Sequence, residues 1–413
     1  MQAVELGPVA PADRTQPASD LFLVFAGANI VATTLVTGAS LLGAGSLPLT
    51  LALVAVGSVA GAALVAALSP VGPRLGVPSM VATRAVLGWN GAAFLALLLY
   101  ATNFAWIAFN NLIAASAMAR AAGGPSSQRA WVAVLGVAAT GVVLLGPRAA
   151  GWADRLAVPL MALTGAALTL RFLAMPPAVQ ASQVAPMPAL AALDVVIGYQ
   201  VSWILMFADY SRYTASAARG AWATFLGLAL TSLWFMPLGL LAARAAGSSD
   251  PGAMIEASGL GLAGVVLLGL GTLTTNFVNI YLSALAIKSL RPGTGDRSSI
   301  LFIGVAGTLL ALLPGAGLEH YVRFVEVLGA LFVPVGGVLI AHLVVARAPV
   351  DVAALYERRG AYAGLDLQAC LAWACGVAAY LLARPWGSTL PGLLVALGAW
   401  LLAHALRRTR APQ

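Results

Sequence analysis

The stretch "GYQVSWILMFADYSRYTAS", residues 198–216, runs from a glycine and an amide through an apolar, aromatic segment into Asp209 and Arg212. A helix crossing a bilayer should be most uniformly apolar near its middle, yet Gly198, Gln200 and Ser202 fall there. The surrounding composition makes these exceptions informative. Of the 413 residues only 9% are charged and 61% are hydrophobic, against about 25% charged in a soluble domain. Apolar runs close to the roughly 20 residues needed to cross a bilayer recur from Leu21 to Leu406. They do not alternate as barrel strands do. The chain reads as an all-α polytopic membrane protein.

Glycine, proline and charge divide it into twelve expected transmembrane helices, at 20–44, 47–68, 90–119, 130–146, 153–174, 189–209, 218–244, 260–290, 299–314, 324–346, 367–383 and 389–406. Residues 1–19 hold Glu5, Asp13 and a single arginine with no short apolar core, so no cleavable signal peptide is expected. With the N-terminus inside, sixteen of the 22 basic residues fall on the inner side. This bias predicts cytoplasmic termini in a plasma (inner) membrane protein. The basic residues are scattered over short loops, which argues against nucleic acid as a partner and for the lipid bilayer. Cys370 and Cys375 share one apolar run, so neither a disulfide framework nor a metal cluster is suggested.

Polar residues inside spans tend to mark a pathway or a binding site. In the first span, "FAGANIVATTLVTGAS", Gly27 and Asn29 weaken the helix near its middle, although small residues there also suit close helix packing. In the third, Asn103, Trp106 and Asn110 share a helical face. They suit a flat hydrogen-bonding ligand, or interhelical amide pairing around a packed tryptophan. In the sixth, Gly198 is a plausible interruption beside Tyr199, Gln200, Ser202 and Trp203. In the eighth, "GTLTTNFVNIY", Gly271, Thr274, Thr275, Asn276 and Asn279 offer either an oxygen cage for a hard cation or threonines bonded back to their own helix. Asp209 and Arg212 sit at the inner end of the sixth span, where a local ion pair or a snorkelling arginine is expected.

The interrupted first and sixth spans lie five apart. A five-helix unit repeated once must return inverted, which is the pattern in which broken helices meet at the midplane around substrate and ion. The expected organisation is an N-terminal cytoplasmic segment 1–19, helices 1–5 over 20–174, an inverted second repeat of helices 6–10 over 189–346, a cytoplasmic loop 347–366, helices 11–12 over 367–406 and a tail 407–413. No intramembrane enzyme is expected, because the histidines, His320, His342 and His404, lie in separate segments. No filter-like repeat or ring of charges suggests a channel.

Four segments in order, "TRAVLGWNG" (83–91), "FADYSRYT" (207–214), "TLTTNFVNIYLSA" (272–284) and "FVPVGGVLIAH" (332–342), resemble the nucleobase–cation symporter family of cytosine, purine and hydantoin permeases. The resemblance implies a LeuT-type fold, with a 5+5 inverted repeat and two peripheral helices. It implies secondary transport of a small heteroaromatic substrate with a monovalent cation, sodium or a proton, and no other cofactor. It assigns substrate contact to Asn103, Trp106, Asn110, Tyr199, Gln200, Ser202, Asn276 and Asn279, and Asn29 of the first span joins them as a candidate on its place in the weakened helix. It assigns sodium to the hydroxyls of Thr274 and Thr275 with the carbonyls of Gly27, Ile30 and Gly271. Several family members carry Phe or Trp where Gln200 stands, and often Gln where Asn103 stands. "SWILMFADYSRY" also resembles members carrying the hydroxymethylpyrimidine precursor of thiamine.

Overall fold

The computed structural model describes residues 6–121, 124–178, 184–313 and 317–410. Residues 1–5 and 411–413 of the expected terminal segments, and residue 314 at the end of the ninth span, lie outside the described residues. Each of the twelve apolar runs forms helix. Among the described residues nine helices are long and apolar enough to cross a membrane, and ten if the bent pair Ala18–Asn29 (α1) and Ala32–Ser40 (α2) is one span. Helices Asp296–Leu312 (α13) and Leu367–Leu382 (α15) are shorter, at 17 and 16 residues.

The first span breaks where expected. Helices α1 and α2 meet at 57°, because Val31 is extended (φ −142°, ψ 162°) and the helix restarts only at Ala32. Breaking a helix frees its last carbonyls. Here three consecutive ones are each taken by a threonine hydroxyl: Gly27 by Thr274, Ala28 by Thr275 and Asn29 by Thr34. The backbone of the break is therefore satisfied by side chains from helix Leu262–Leu290 (α12) and from α2 itself.

In the sixth span the interruption is not at Gly198. Helix Ala189–Val201 (α9) runs through that residue and then gives way to turns and a short 3-10 segment, Ile204–Met206. Gly198 instead faces helix Tyr321–Ile340 (α14), where a Cβ would sit 3.4 Å from the Val325 carbonyl and 3.8 Å from the Gly329 Cα. It is a packing glycine.

Helices Leu47–Leu68 (α3) and Ala217–Ala246 (α10) pack around α1, α2 and α9, while Arg84–Ala121 (α6) pairs along its length with α12. The contact of α2 with α10 is backbone to backbone. A Cβ on Gly38 would fall 1.9 Å from the Met236 carbonyl oxygen, and one on Gly239 2.0 Å from that of Leu35. Helix α15 pairs with Thr389–Arg410 (α16), and both reach the body mainly through α14. Large apolar side chains such as Val137, Leu163, Phe302, Leu371 and Leu394 point outward. The amides Asn29, Asn103, Asn110, Gln200 and Asn276 are all fully buried. This inside-out distribution is what a lipid solvent selects.

The segment that follows α9 and the start of α6 are held by specific bonds. Asp209 accepts from the Ser79 amide (2.9 Å) and the Ser79 hydroxyl accepts from the Ala208 amide (2.8 Å). Arg212 is fully buried, donating to the Tyr213 hydroxyl (2.6 Å) and lying over the Tyr213 ring. The expected snorkelling arginine is corrected. The guanidinium finds its partners within the protein and does not reach water. Arg84 of the "TRAVLGWNG" segment donates to the carbonyls of Leu355 and Ser289 and covers the Trp89 ring at 3.7 Å. Gly88, at φ 74° and ψ 173°, breaks α6 just after its first turn, a backbone that favours glycine, and packs beside Gly364.

Candidate substrate and cation site

A small cavity lies between the two helix breaks, lined by Ala28, Thr33, Trp106, Tyr199, Ser202, Trp203, Met206, Thr275 and Asn279. Trp106 from α6 stands edge-on to Tyr199 (5.9 Å between ring centres), Tyr321 (6.2 Å) and Phe324 (5.1 Å). The Tyr199 hydroxyl bonds Thr34 Oγ1 at 2.6 Å and lies 3.3 Å from Thr33 Oγ1. Tyr321 donates to the Thr33 carbonyl and bonds the Thr37 hydroxyl (2.8 Å). These bonds fix the aromatic side chains against the restarted half of the first span. Two polar groups face the cavity differently. Ser202 Oγ is engaged by the Tyr199 carbonyl (2.7 Å). Asn279 Nδ2 is buried with no partner, so it is a donor available to a ligand.

Four of the nine expected substrate residues, Trp106, Tyr199, Ser202 and Asn279, line this cavity. The other five turn elsewhere. Asn103 Nδ2 donates to Ser283 Oγ (2.9 Å) and Asn110 Nδ2 to Asn276 Oδ1 (3.1 Å). Asn276 Nδ2 in turn donates to Asn111 Oδ1 (2.9 Å). These pairs recur seven residues apart along antiparallel α6 and α12, so the amides stitch the two helices together. Asn29 and Gln200 both point to α10, donating to Ser232 Oγ at 2.7 Å each. The contrast with family members bearing an aromatic residue at Gln200 therefore concerns helix packing.

The five expected cation residues do converge. Thr274 Oγ1 lies 3.3 Å from the Gly27 carbonyl oxygen and 3.0 Å from that of Gly271. Thr275 Oγ1 lies 2.7 Å from that of Ala28. The Ile30 carbonyl oxygen presses on Gly271, 2.7 Å from where a Cβ would be, so only glycine admits it. The donor set consists of uncharged hydroxyl and carbonyl oxygens from a broken helix and its neighbour. That chemistry fits a hard monovalent cation.

Ala28, Met206, Tyr321 and Phe324 were not among the expected site residues. An alanine or methionine in an apolar span carries no signal. Tyr321 and Phe324, near a span end, read equally well as interfacial aromatics.

Two broken or loosened helices meeting around a buried aromatic cavity define a multi-pass helical membrane protein of the LeuT-type fold, and solved structures agree. Mhp1, a nucleobase-cation-symport-1 family transporter in a closed conformation with bromovinylhydantoin bound, matches at a TM-score of 0.83 and 19% identity, over 99% of this chain and 97% of that one. A Na+-coupled sialic acid symporter matches at 0.67 and 11%, over 96% and 91%. The family model for permeases of cytosine/purines, uracil, thiamine and allantoin matches residues 8–401. The chain belongs to that family of nucleobase–cation symporters. Among curated relatives, the putative purine-cytosine permease YxlA of Bacillus subtilis is 30% identical over 244 residues, 55% of this chain and 51% of its own length. The chain thus spans about half of that relative. The cytosine permease of Escherichia coli K12 is 26% identical over 331 residues, 79% of this chain and 75% of its own length.

Proposed function

We propose that this protein imports a nucleobase or related pyrimidine by symport with a cation, sodium in the first instance, through alternating access. The observation that carries the reading is the adjacency of two sites across one residue pair. Thr275 lines the aromatic cavity and also bonds the Ala28 carbonyl at the break of the first span. A group placed there senses both ligand and ion. Trp106 supplies a wall for a flat ring, and stacking on an aromatic side chain is worth about 1–3 kcal/mol per base in other systems. Asn279 supplies an amide for the ring edge. Gly27, Ile30, Gly271, Thr274 and Thr275 would hold the sodium ion, with the Ala28 carbonyl beside them. Binding that draws α12 and α1 together would change how the two halves of the transporter meet. Coupling one cation supplies about 2.3 kcal/mol per 100 mV, roughly a fifty-fold accumulation of a neutral substrate.

The same proposal includes twelve transmembrane helices with an inverted repeat of 20–174 and 189–346, helices 367–406 at the periphery, and cytoplasmic termini. Mhp1 with its bound bromovinylhydantoin and the Na+-coupled sialic acid symporter support the substrate class and the ion by likeness of fold. The runner-up is a proton-coupled carrier of hydroxymethylpyrimidine, a hydantoin or allantoin. Uptake of labelled cytosine, uracil, adenine, hydantoin, allantoin and hydroxymethylpyrimidine into cells, in sodium or choline medium at two pH values, separates these readings. Sodium-dependent uptake of a base supports the proposal. Uptake that ignores sodium and follows pH supports the runner-up.

A further inference from the structure

Five polar residues outside the cation set close a ring of contacts around both helix breaks. Asn29 is the last residue of α1, and Gln200 stands one residue before the end of α9. Their side-chain nitrogens both donate to Ser232 Oγ on α10, at 2.7 Å each, and both reach the Leu228 carbonyl one turn earlier, at 3.2 and 3.3 Å. From Asn29 the ring continues through its carbonyl to Thr34 Oγ1 (2.5 Å) and on to the Tyr199 hydroxyl (2.6 Å). Tyr199 precedes Gln200 in the chain, which returns the ring to Ser232. All five residues are at most 2% exposed.

We infer that Ser232 is a positioning residue that couples the cation site to the substrate cavity. The inference rests on the transport reading above. Asn29 directly follows Ala28, and Gln200 directly follows Tyr199. One hydroxyl thereby holds the residue next to an ion-facing carbonyl and the residue next to a cavity tyrosine. A movement of the α1 carbonyls on ion binding has two routes to the cavity side of the ring, to Tyr199 through Thr34 and to Gln200 through Ser232. The amides have few bonds to spare. Asn29 Oδ1 and Gln200 Oε1 have no partner, and without the Ser232 hydroxyl Gln200 would keep only its 3.3 Å bond to the Leu228 carbonyl, while Asn29 would keep that carbonyl and the Thr231 hydroxyl (2.7 Å). A two-state element biased by both sites is what coupling requires. Ser232 touches neither the cavity nor the cation oxygens, which separates its role from binding.

The test needs no knowledge of the transported base. In full-length protein lacking Cys370 and Cys375, Ser202→Cys places a thiol in the cavity wall. Its labelling rate by a maleimide is measured in sodium and in choline, beside equilibrium binding of ²²Na⁺. With Ser232 intact, sodium should change the labelling rate by about five-fold or more, the lower end of usual coupling. Ser232→Ala should bind ²²Na⁺ within about two-fold of the parent while that ratio falls to near one. Ser232→Thr, which keeps the hydroxyl, should restore it. An unchanged labelling ratio in Ser232→Ala would overturn the inference and leave the transport reading standing. Loss of ²²Na⁺ binding in both Ser232 variants would overturn it too, since Ser232 would then be merely structural. A parent that binds no ²²Na⁺ would overturn the sodium reading itself, and this inference with it.

Discussion

Replacing Thr275 with valine removes one hydroxyl while keeping the shape of the side chain. In the structure that hydroxyl spans α12 and α1 by a single 2.7 Å bond to the Ala28 carbonyl, in a position 4% exposed. Its loss strips the cation site of one oxygen and leaves a freed helix-end carbonyl without its donor. The lost contact to a charged group is worth about 1.5–3 kcal/mol, which converts to roughly 10- to 150-fold in the sodium concentration for half-maximal uptake. Thr274→Val should shift that concentration less. The Thr274 hydroxyl is shared between Gly271 of its own helix at 3.0 Å and Gly27 at a longer 3.3 Å. Sodium titrations of initial uptake rate, at saturating substrate and with expression matched by surface labelling, measure both shifts. A Thr275→Val protein with wild-type sodium dependence would refute the reasoning, as would one whose substrate ranking changes at unchanged sodium dependence.

Further outcomes follow from the same geometry. Trp106→Ala should weaken substrate binding by about 1–3 kcal/mol and Trp106→Phe by less; equal and negligible effects in competition binding would remove the stacking role. Asp209→Ala deletes the acceptor for the Ser79 amide and should lower thermal stability by roughly 0.5–2 kcal/mol, leaving the order of substrate preference intact. A changed order would mean that Asp209 reaches the substrate. Cysteines at Ala121 and Gly360, in a background without Cys370 and Cys375, should label from opposite sides of the membrane. Labelling of both from outside would contradict cytoplasmic termini.

The helices were legible because apolar length is a strong signal in a chain with so few charges. The break in the first span was legible too, since Gly27 and Asn29 both disfavour helix within three residues. The opposite error at Gly198 has a simple cause. A glycine that interrupts a helix and one that lets a neighbouring helix approach look the same in sequence, and here α14 approaches. The asparagines of the third span show a further limit. Spacing correctly put Asn103, Trp106 and Asn110 on one face, but that face meets α12 at both amides and the cavity only at Trp106. Which partner an amide finds depends on the rotation of two helices about their axes, and no single sequence states it. The threonine pair was readable because adjacency forces the two hydroxyls about 100° apart, so both could not face lipid. The short helix Pro251–Ser258 (α11), packed between α6 and α10, was missed because eight residues carry too little periodicity to separate from a loop.

The central claim is that an ion at the break of the first span drives a flat heteroaromatic compound through the cavity beside it. Purified protein in liposomes with an imposed inward sodium gradient and no pH gradient tests this most directly, with labelled cytosine and uracil inside the panel. The account predicts transient accumulation above the external concentration that collapses when sodium is equilibrated, and that disappears in Thr275→Val at low sodium. Accumulation driven by an inward proton gradient alone, and indifferent to sodium in both proteins, would contradict it.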